Sequence, residues 1–175
     1  MKAEKAKPVK YFIGALFTSE ENLQEAMKML EQKFSKIDME STNFLFDVTN
    51  YYDEEMGTPI YRKIFSFNEL ICPSFLPEAK LITNQVEEKL KVGTKRKVNL
   101  DIGYLDYDKV VLASAKYCLN KVYLNKGIYA DLALHYQKGK YFPYPWAFMD
   151  FKSDRYYDFF FKIRMCYKKQ VKLLY

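Results

Sequence analysis

Polar residues that could do chemistry alternate with apolar ones between Val98 and Asp150, at spacings typical of β-strands. If these strands form one sheet, the residues predicted to share its polar face are Asn99, Asp101, Ser114, Lys116, Asp131 and His135. Carboxylates beside a lysine can hold a divalent cation such as magnesium together with a phosphate, or act as general acid and base. The alternative interpretation is the ordinary solvated face of an antiparallel sheet.

The catalytic candidates on this face are Asp101, Asp131 and His135, and spacing limits how they can cooperate. Asp131 and His135 are four residues apart, which is about 13 Å along a strand, so they cannot touch. One ion shared by Asp101 and Asp131 requires the two carboxylates to lie within about 5 Å of each other. The only histidine of the chain is more often a structural residue than a catalytic one.

Further cations and amides could reach a phosphate. Lys80 and Asn84 lie one turn apart on a predicted helix, and Lys121 follows the segment that carries Ser114. The alternative for the helix is a solvated face. A second cluster surrounds Asp47, where the segment Asp53–Gly57 is either a turn or a rim loop that closes over a ligand.

The net charge of +6 is concentrated at the two ends of the 175-residue chain. Residues 1–10 carry +3 and residues 162–175 carry +5, which leaves the body near −2. A surface that binds nucleic acid or an acidic partner would therefore have to use the basic termini. On the last predicted helix, Arg164, Lys168 and Lys172 form a basic stripe that could equally be a solvated face.

The cysteine pattern and the absence of several motifs exclude some classes of protein and of binding site. The three scattered cysteines have no CxxC spacing, which favours reduced thiols in a cytosolic protein. Neither a signal peptide nor a stretch long enough for a membrane span is expected. A P-loop, a dinucleotide fingerprint, an Asn-Lys-x-Asp motif and a paired-histidine centre are all absent from the sequence, and a zinc site of the usual ligands is not expected.

The helices and strands that would position these residues are predicted from the hydrophobic periodicity of the sequence. Residues 1–8 are expected to be a flexible basic tail, and the remainder of a single domain begins with the buried strand Val9–Phe17. A capping box at Thr18–Glu21 predicts a helix to Phe34, and Pro77 begins a second helix that ends near Leu90. Two alternating runs, 43–52 and 60–70, are predicted to pair between these helices.

The second half predicts a strand meander and a final helix. Val98–Tyr104 alternates cleanly, Val110–Tyr117 favours a strand over a helix, and hairpin turns are expected at residues 125–127 and 137–140. The fold class predicted is α+β: a ferredoxin-like βαββαβ start, extended by an antiparallel meander into one larger sheet. The helices are expected to pack on one face, with a C-terminal helix capped at Ser153 or Asp154.

Several phrases occur together in an order that resembles one bacterial family. They are Phe46–Tyr52 with Glu55–Gly57, Leu76–Asn84, Val98–Leu105, Val111–Lys116, and Tyr123–Leu134 followed by Pro145-Trp146. The chain is identified from them as similar to domain-of-unknown-function family 4416 over nearly its whole length. The resemblance implies no established activity. Some members carry a "GTP-binding protein" label, which the missing P-loop argues against.

The chain departs from the family pattern at two places. Asn120-Lys121 stands where the pattern has His-Arg, and Phe148–Phe151 stands where it has Tyr-Pro-Asp-Tyr. An Asn-Lys pair keeps hydrogen bonding and charge but loses proton transfer near neutral pH. This departure favours binding over histidine-dependent catalysis.

Three hypotheses remain open, and whether the protein is an enzyme is one of the differences between them. The first is a cytosolic binding domain for a phosphorylated small molecule or nucleotide on the polar sheet face. The second is a metal-dependent phosphoester or nucleotide enzyme that uses Asp101 and Asp131 with magnesium. The third is an RNA- or protein-interaction domain that uses the basic termini.

Overall fold

Alternating and continuous apolar runs produce one nine-stranded antiparallel sheet in the computed structural model, which describes residues 2–174. The strands are β1 (Val9–Phe17), β2 (Ile37–Glu40), β3 (Phe44–Leu45), β4 (Tyr61–Ile71), β5 (Val98–Leu105), β6 (Lys109–Ser114), β7 (Val122–Asn125), β8 (Ile128–Gln137) and β9 (Lys140–Pro143). The α-helices are α1 (Glu20–Glu31), α2 (Asp53–Met56), α3 (Leu76–Leu90), α4 (Met149–Lys152) and α5 (Tyr157–Lys172).

The strand order confirms the predicted fold class. Strands run β2-β4-β1-β5-β6-β8-β7 across the sheet, and β9 adds to the outer edge of β8. The first four positions are those of a split βαβ unit, in which β4 lies between β2 and β1 and pairs antiparallel with both. The meander then extends this unit on the β5 side.

Helices cover both faces of the sheet, whereas the sequence analysis placed them on one. Helices α1 and α3 pack on the face that carries Tyr11 and Ile13, and α5 packs on the face that carries Phe12. We call these the α1/α3 face and the α5 face. All nine residues of β1 are buried, so its apolar side chains need cover on both sides, and a single helical layer cannot supply it.

The predicted strand 43–52 is wrong in extent. Only Phe44–Leu45 pairs with β4, while residues 46–52 form a loop that leads into α2. Phe46 packs with Tyr52, with ring centroids 6.0 Å apart, and joins a small cluster with Met56 and Ile60. Because these aromatic side chains pack on each other, the 46–52 loop folds back over the sheet instead of continuing it.

The ambiguous segment after Asp108 is a strand, as favoured by the sequence. Both predicted hairpin turns are confirmed, with positive φ at Lys126 and Gly127 (53° and 75°) and at Lys138 and Gly139 (48° and 86°). The last helix begins at Tyr157, after a 3₁₀ turn over Asp154–Tyr156. Within residues 2–174, every helix is too short or too polar to cross a bilayer.

Candidate functional site

Strands β5 and β6 pair over only part of their length, and side chains of α3 bind the unpaired backbone of β5. These two strands pair only over Gly103–Leu105. Further along β5, the Leu100 N–H donates to Glu87 Oε1 (2.6 Å), and Lys80 Nζ donates to the Leu100 carbonyl (3.0 Å). The side chains of α3 therefore replace a strand partner for Leu100. Lys80, predicted to meet phosphate, holds the backbone of β5.

Glu87 is a buried carboxyl that sequence reasoning missed. Burial raises its pKa, although Lys80, the Leu100 N–H and Arg96 act in the opposite direction. Its position on the inner side of α3 gave the only signal, since a glutamate on a buried helix stripe needs a partner. Asn84, predicted beside Lys80, is half-buried one turn further along α3.

Arg62 forms the centre of the polar cluster on the α5 face. Its Nη1 donates to Asp101 Oδ2 (2.7 Å) and to the Gly14 carbonyl (2.9 Å). Its Nε and Nη2 bind Asp150 Oδ2 at 3.1 and 2.9 Å. Tyr156 donates its hydroxyl to the same Asp150 oxygen (3.2 Å). One buried guanidinium thus bridges two carboxylates from distant parts of the chain.

The network continues from Asp101 to the end of the sheet. Asn99 Nδ2 donates to Asp101 Oδ2 (3.2 Å), and Arg96 Nη1 donates to Asn99 Oδ1 (2.7 Å). Arg96 also forms a bidentate pair with Glu55, both bonds 2.7 Å. This pair ties α2, beside the 46–52 loop, to the start of β5. The predicted pair Asn99 and Asp101 therefore lies together, within a network whose arginines were not predicted.

Electrostatics keep Asp101 ionised. Burial works to raise its pKa, but Arg62, Lys80 and the hydrogen bonds from Arg62 and Asn99 hold the pKa below its usual value. Burial and the nearby Asp101 carboxylate raise the pKa of Tyr52 to about 12. At neutral pH the site therefore presents a carboxylate acceptor beside a neutral phenol.

A cleft of about 320 Å³ lies over this cluster. Arg62, Asp101 and Asp150 line its floor, and the 46–52 loop and the start of α4 form its walls. The wall residues are Phe46, Val48, Thr49, Tyr51, Tyr52, Phe148 and Met149. The exposed Lys116 extends along the rim, with Nζ 5.7 Å from the centre of the Tyr51 ring. The cleft combines aromatic walls, a carboxylate floor and a cationic rim.

Ser114, Lys121 and Asp131 form a second group, whereas the sequence analysis placed Ser114 beside Lys116 on the polar face. Lys121 Nζ donates to Ser114 Oγ (2.9 Å) and lies 3.7 Å from Asp131 Oδ2, while Asn120 Nδ2 donates to Asp131 Oδ1 (3.0 Å). Burial raises the pKa of Asp131, and Lys121 and Asn120 oppose the shift. The Asn120-Lys121 pair, where the family pattern has His-Arg, therefore holds this carboxylate.

Asp101 and Asp131 lie on strands separated by β6, and each has its own cationic partner. Asp131 lies opposite Gly103 across Leu112, so two strand spacings and two residues along β5 put the two backbones about 12 Å apart. Among residues 2–174, no three His, Cys, Asp or Glu side chains gather as a metal-binding group. His135 stacks on Phe142 and packs at a tilt against Tyr144, and it contacts neither carboxylate.

Replacing Asp101 with Asn is expected to lower the free energy of unfolding by about 1.5 kcal/mol at pH 7, because the charge-assisted bond from Arg62 is weakened. The lowered pKa of Asp101 gives the sign of the pH dependence. Stability from this carboxylate is fully present above its unfolded pKa of about 3.9 and is lost as pH falls through the lower folded pKa. Urea unfolding of wild type and D101N between pH 2.5 and 7 should show the two curves converging below about pH 4.

The matched control is Asp108→Asn, an exposed aspartate in the turn between β5 and β6. This variant should follow the wild type at every pH. A gap between wild type and D101N that stays constant or widens in acid would contradict the assignment.

Comparison with protein-family models matches this chain, over residues 7–167, to one described as "Domain of unknown function (DUF4416)". The match confirms the resemblance found in the sequence phrases. Neither the curated proteins nor the solved structures contain a match.

Proposed function

The chain belongs to the DUF4416 family, and from its own geometry we propose that it binds a small phosphorylated molecule of the nucleotide class. The proposed site is the cleft between the 46–52 loop and the start of α4. The observation that carries the proposal is the aromatic-walled cleft, with its fixed carboxylate floor and a lysine on its rim. A cleft of about 320 Å³ is near the lower limit of small-molecule sites, so it suits one mononucleotide-sized ligand.

The walls suit a planar ring. Tyr51 and Tyr52 pack edge to face, with centroids 4.9 Å apart, and Phe46 lies beside Tyr52. Phe148 and Tyr51, which are exposed, line the same cleft. Aromatic side chains stack on nucleobases of any type, and each such contact contributes about 1–3 kcal/mol.

The charges orient the ligand. Two carboxylates share one guanidinium on the floor, so the local charge there is negative and favours hydrogen-bond donors such as amino or hydroxyl groups. A phosphate would be repelled from the floor. Lys116 on the rim offers an ammonium group that is free to turn toward a phosphate, and Lys121 lies beyond it on the same side of the sheet.

Mononucleotides and sugar phosphates should raise the melting temperature of the native protein, and the best ligand should bind less tightly to Lys116→Ala and Tyr51→Ala. Both side chains are exposed, so neither variant is expected to perturb folding. Removal of one stacking ring predicts at least about 5-fold weaker binding in Y51A. The measurements are a thermal-shift screen at about 100 mM salt, which leaves charge interactions within about 10 Å effective, followed by titration calorimetry.

Lys89→Ala and Tyr123→Ala are the matched controls, since both residues are exposed and lie outside the cleft. They should bind the ligand as the wild type does. Equal affinity of K116A, Y51A and the controls would reject the cleft as the binding site. A screen in which no phosphorylated compound shifts the melting temperature would reject the function itself.

A further inference from the structure

Four aromatic side chains form a strip along the outer edge of β8, separate from the cleft. We call His135, Phe142, Tyr144 and Trp146 the aromatic strip. Strand β7 pairs with residues 128–130 of β8, and β9 pairs with residues 134–137. Between them, the Trp146 indole N–H donates to the Leu132 carbonyl (2.9 Å), and the Tyr144 N–H donates to the Ala133 carbonyl (3.1 Å). These bonds fix the strip in place.

The strip consists of two stacked pairs of rings, and one ring of each pair is exposed. Tyr144 and Trp146 have centroids 5.1 Å apart and planes 11° apart, and His135 and Phe142 have centroids 5.5 Å apart at 22°. Phe142 and Trp146 are 42% and 43% exposed. Within residues 2–174, His135 Nδ1 is a buried ring nitrogen without a hydrogen-bond partner. Unpaired bases stack on exposed aromatic rings that are held in place, and Phe142 and Trp146 are such rings.

Basic residues gather at the same end of the sheet. Lys109 lies directly opposite His135 in the register, and Lys138 and Lys140 are exposed in and beside the β8–β9 turn. The acids near them are Asp106, which binds Lys109 at 2.5 Å, the exposed Asp108, and Asp154 and Asp158, which line one cavity with Gly139 and Lys140. Within residues 2–174, Lys138 and Lys140 form no ion pair, so their ammonium groups remain available beside the strip.

The basic termini lie at the same ends of the strands but over β1 and β4, three or more strands away from β8. The Tyr167 hydroxyl donates to the Pro8 carbonyl (3.2 Å), which joins the last turns of α5 to the lysine-rich segment before β1. Lys168, Lys169 and Lys172 follow in those turns and are exposed. The cleft lies at the opposite end, because Arg62 pairs with Leu16 near the far end of β1. The cationic groups beside the strip are therefore Lys138 and Lys140 of the β8–β9 hairpin.

We propose that this edge of the sheet binds single-stranded nucleic acid, with bases stacked on the aromatic strip and phosphates held by Lys138 and Lys140. Charge complementarity selects a polyanion, and the stacked rings select one with accessible bases over a duplex or an acidic peptide. The proposal rests on residues outside the cleft and does not depend on the function proposed there.

Fluorescence anisotropy with labelled single strands of about 12 nucleotides, RNA and DNA, tests the proposal. Phe142→Ala should weaken binding at least about 5-fold. The double variant Lys138→Asn/Lys140→Gln should reduce the slope of log affinity against log salt by about 1.4, or about 0.7 for each lysine that no longer neutralises a phosphate. Asn is chosen at position 138 because it tolerates the positive φ there.

Tyr123→Ala and Lys89→Gln are matched controls on other surfaces, with Tyr123 57% exposed, and both should bind as the wild type. Circular dichroism checks that each variant is folded. The proposal is overturned if single strands do not bind at about 50 mM salt, where phosphate contacts are strong, or if a duplex or an acidic peptide of equal charge binds as tightly. It is also overturned if F142A binds like Y123A, or if Y51A loses as much affinity as F142A, since the bases would then occupy the cleft.

Discussion

Replacing Arg62 with Met is expected to lower the free energy of unfolding by about 3–5 kcal/mol, more than any other single side-chain truncation discussed for this protein. The side chain of Arg62 is only 3% exposed, and its partners Asp101 and Asp150 are 19% and 2% exposed. Met fills a similar volume but leaves two carboxylates largely buried without a cation. Urea unfolding at pH 7 measures the loss, which should also lower the melting temperature by roughly 10 °C.

Arg155→Met is the matched control, since Arg155 forms a partly exposed pair with Asp47 at 3.0 Å. Such pairs contribute about 0–1 kcal/mol. Acidification gives a second criterion: the unpaired carboxyls of R62M should have raised pKa values, so the deficit should grow as pH rises and shrink as pH falls. Equal losses in R62M and R155M, or a deficit that grows in acid, would show that the cluster does not hold the fold.

The structural reason for this dependence is that Arg62 joins four elements. It extends from β4 across β1, where a Cβ added at Gly14 would lie 2.9 Å from Nη1, and it reaches β5 and α4. The absence of a side chain at Gly14 therefore gives the guanidinium its path to Asp101. The same guanidinium lines the proposed ligand cleft, so a ligand that contacts the floor should stabilise the whole fold.

Local patterns predicted most of the fold. The predicted start of α1 is correct to within one residue: Ser19, and not Thr18 of the predicted capping box, is the N-cap and accepts a hydrogen bond from the Asn22 N–H (3.4 Å). The predicted α1 stripe of Leu23, Ala26, Met27 and Leu30 is buried. The opening βαββαβ unit and both hairpin turns are confirmed for the same reason. Each is encoded by neighbouring residues.

Contacts between distant residues could not be predicted in this way. Arg62 and Asp150 are 88 residues apart, and one sequence contains no local signal for such a pair. The placement of α5 opposite α1 and α3 also depends on the burial of both faces of β1. Periodicity alone does not reveal this burial, because a short continuous apolar run fits a buried strand and a buried helix equally well. The 46–52 loop was predicted as strand because its alternation is real, but its aromatic residues pack locally.

The candidate site was predicted in parts. Asn99 lies with Asp101 because residues two apart on a strand share a face. Ser114, Lys121 and Asp131 meet instead because β6, the loop before β7 and β8 come together in the sheet. The arginines were missed, although a signal was present. Only four arginines occur in a chain with 24 lysines, and Arg62 and Arg96 each bind carboxylates through several guanidinium nitrogens, which a lysine cannot reproduce. In a chain so rich in lysine, an arginine is therefore a signal for a specific contact with a carboxylate.

Gly103 lies on the polar side of β5, but its missing side chain does not leave open space above the sheet. A Cβ at this position would lie 2.9 Å from the Phe12 ring and 3.0 Å from a Leu112 methyl, and it would collide with the Val111 carbonyl oxygen. Gly103 allows β6 to approach β5 at the only place where the two strands pair.

Gly103→Ala is therefore expected to lower the free energy of unfolding by about 3 kcal/mol, because the obstructing atom belongs to the backbone of β6 and cannot move aside. The measurement is urea unfolding at pH 7, with thermal unfolding as a second readout. Gly93→Ala is the matched control: its φ is +60°, but a Cβ there meets no atom within 4 Å. Its expected cost is only that of a left-handed alanine, about 1 kcal/mol. If G103A lowers the free energy of unfolding no more than G93A does, the close approach of β6 is not the reason for a glycine at position 103. If the loss in G103A is about three times that in G93A, the pairing of β5 with β6, which joins the ferredoxin-like unit to the meander, requires a residue without a side chain at this position.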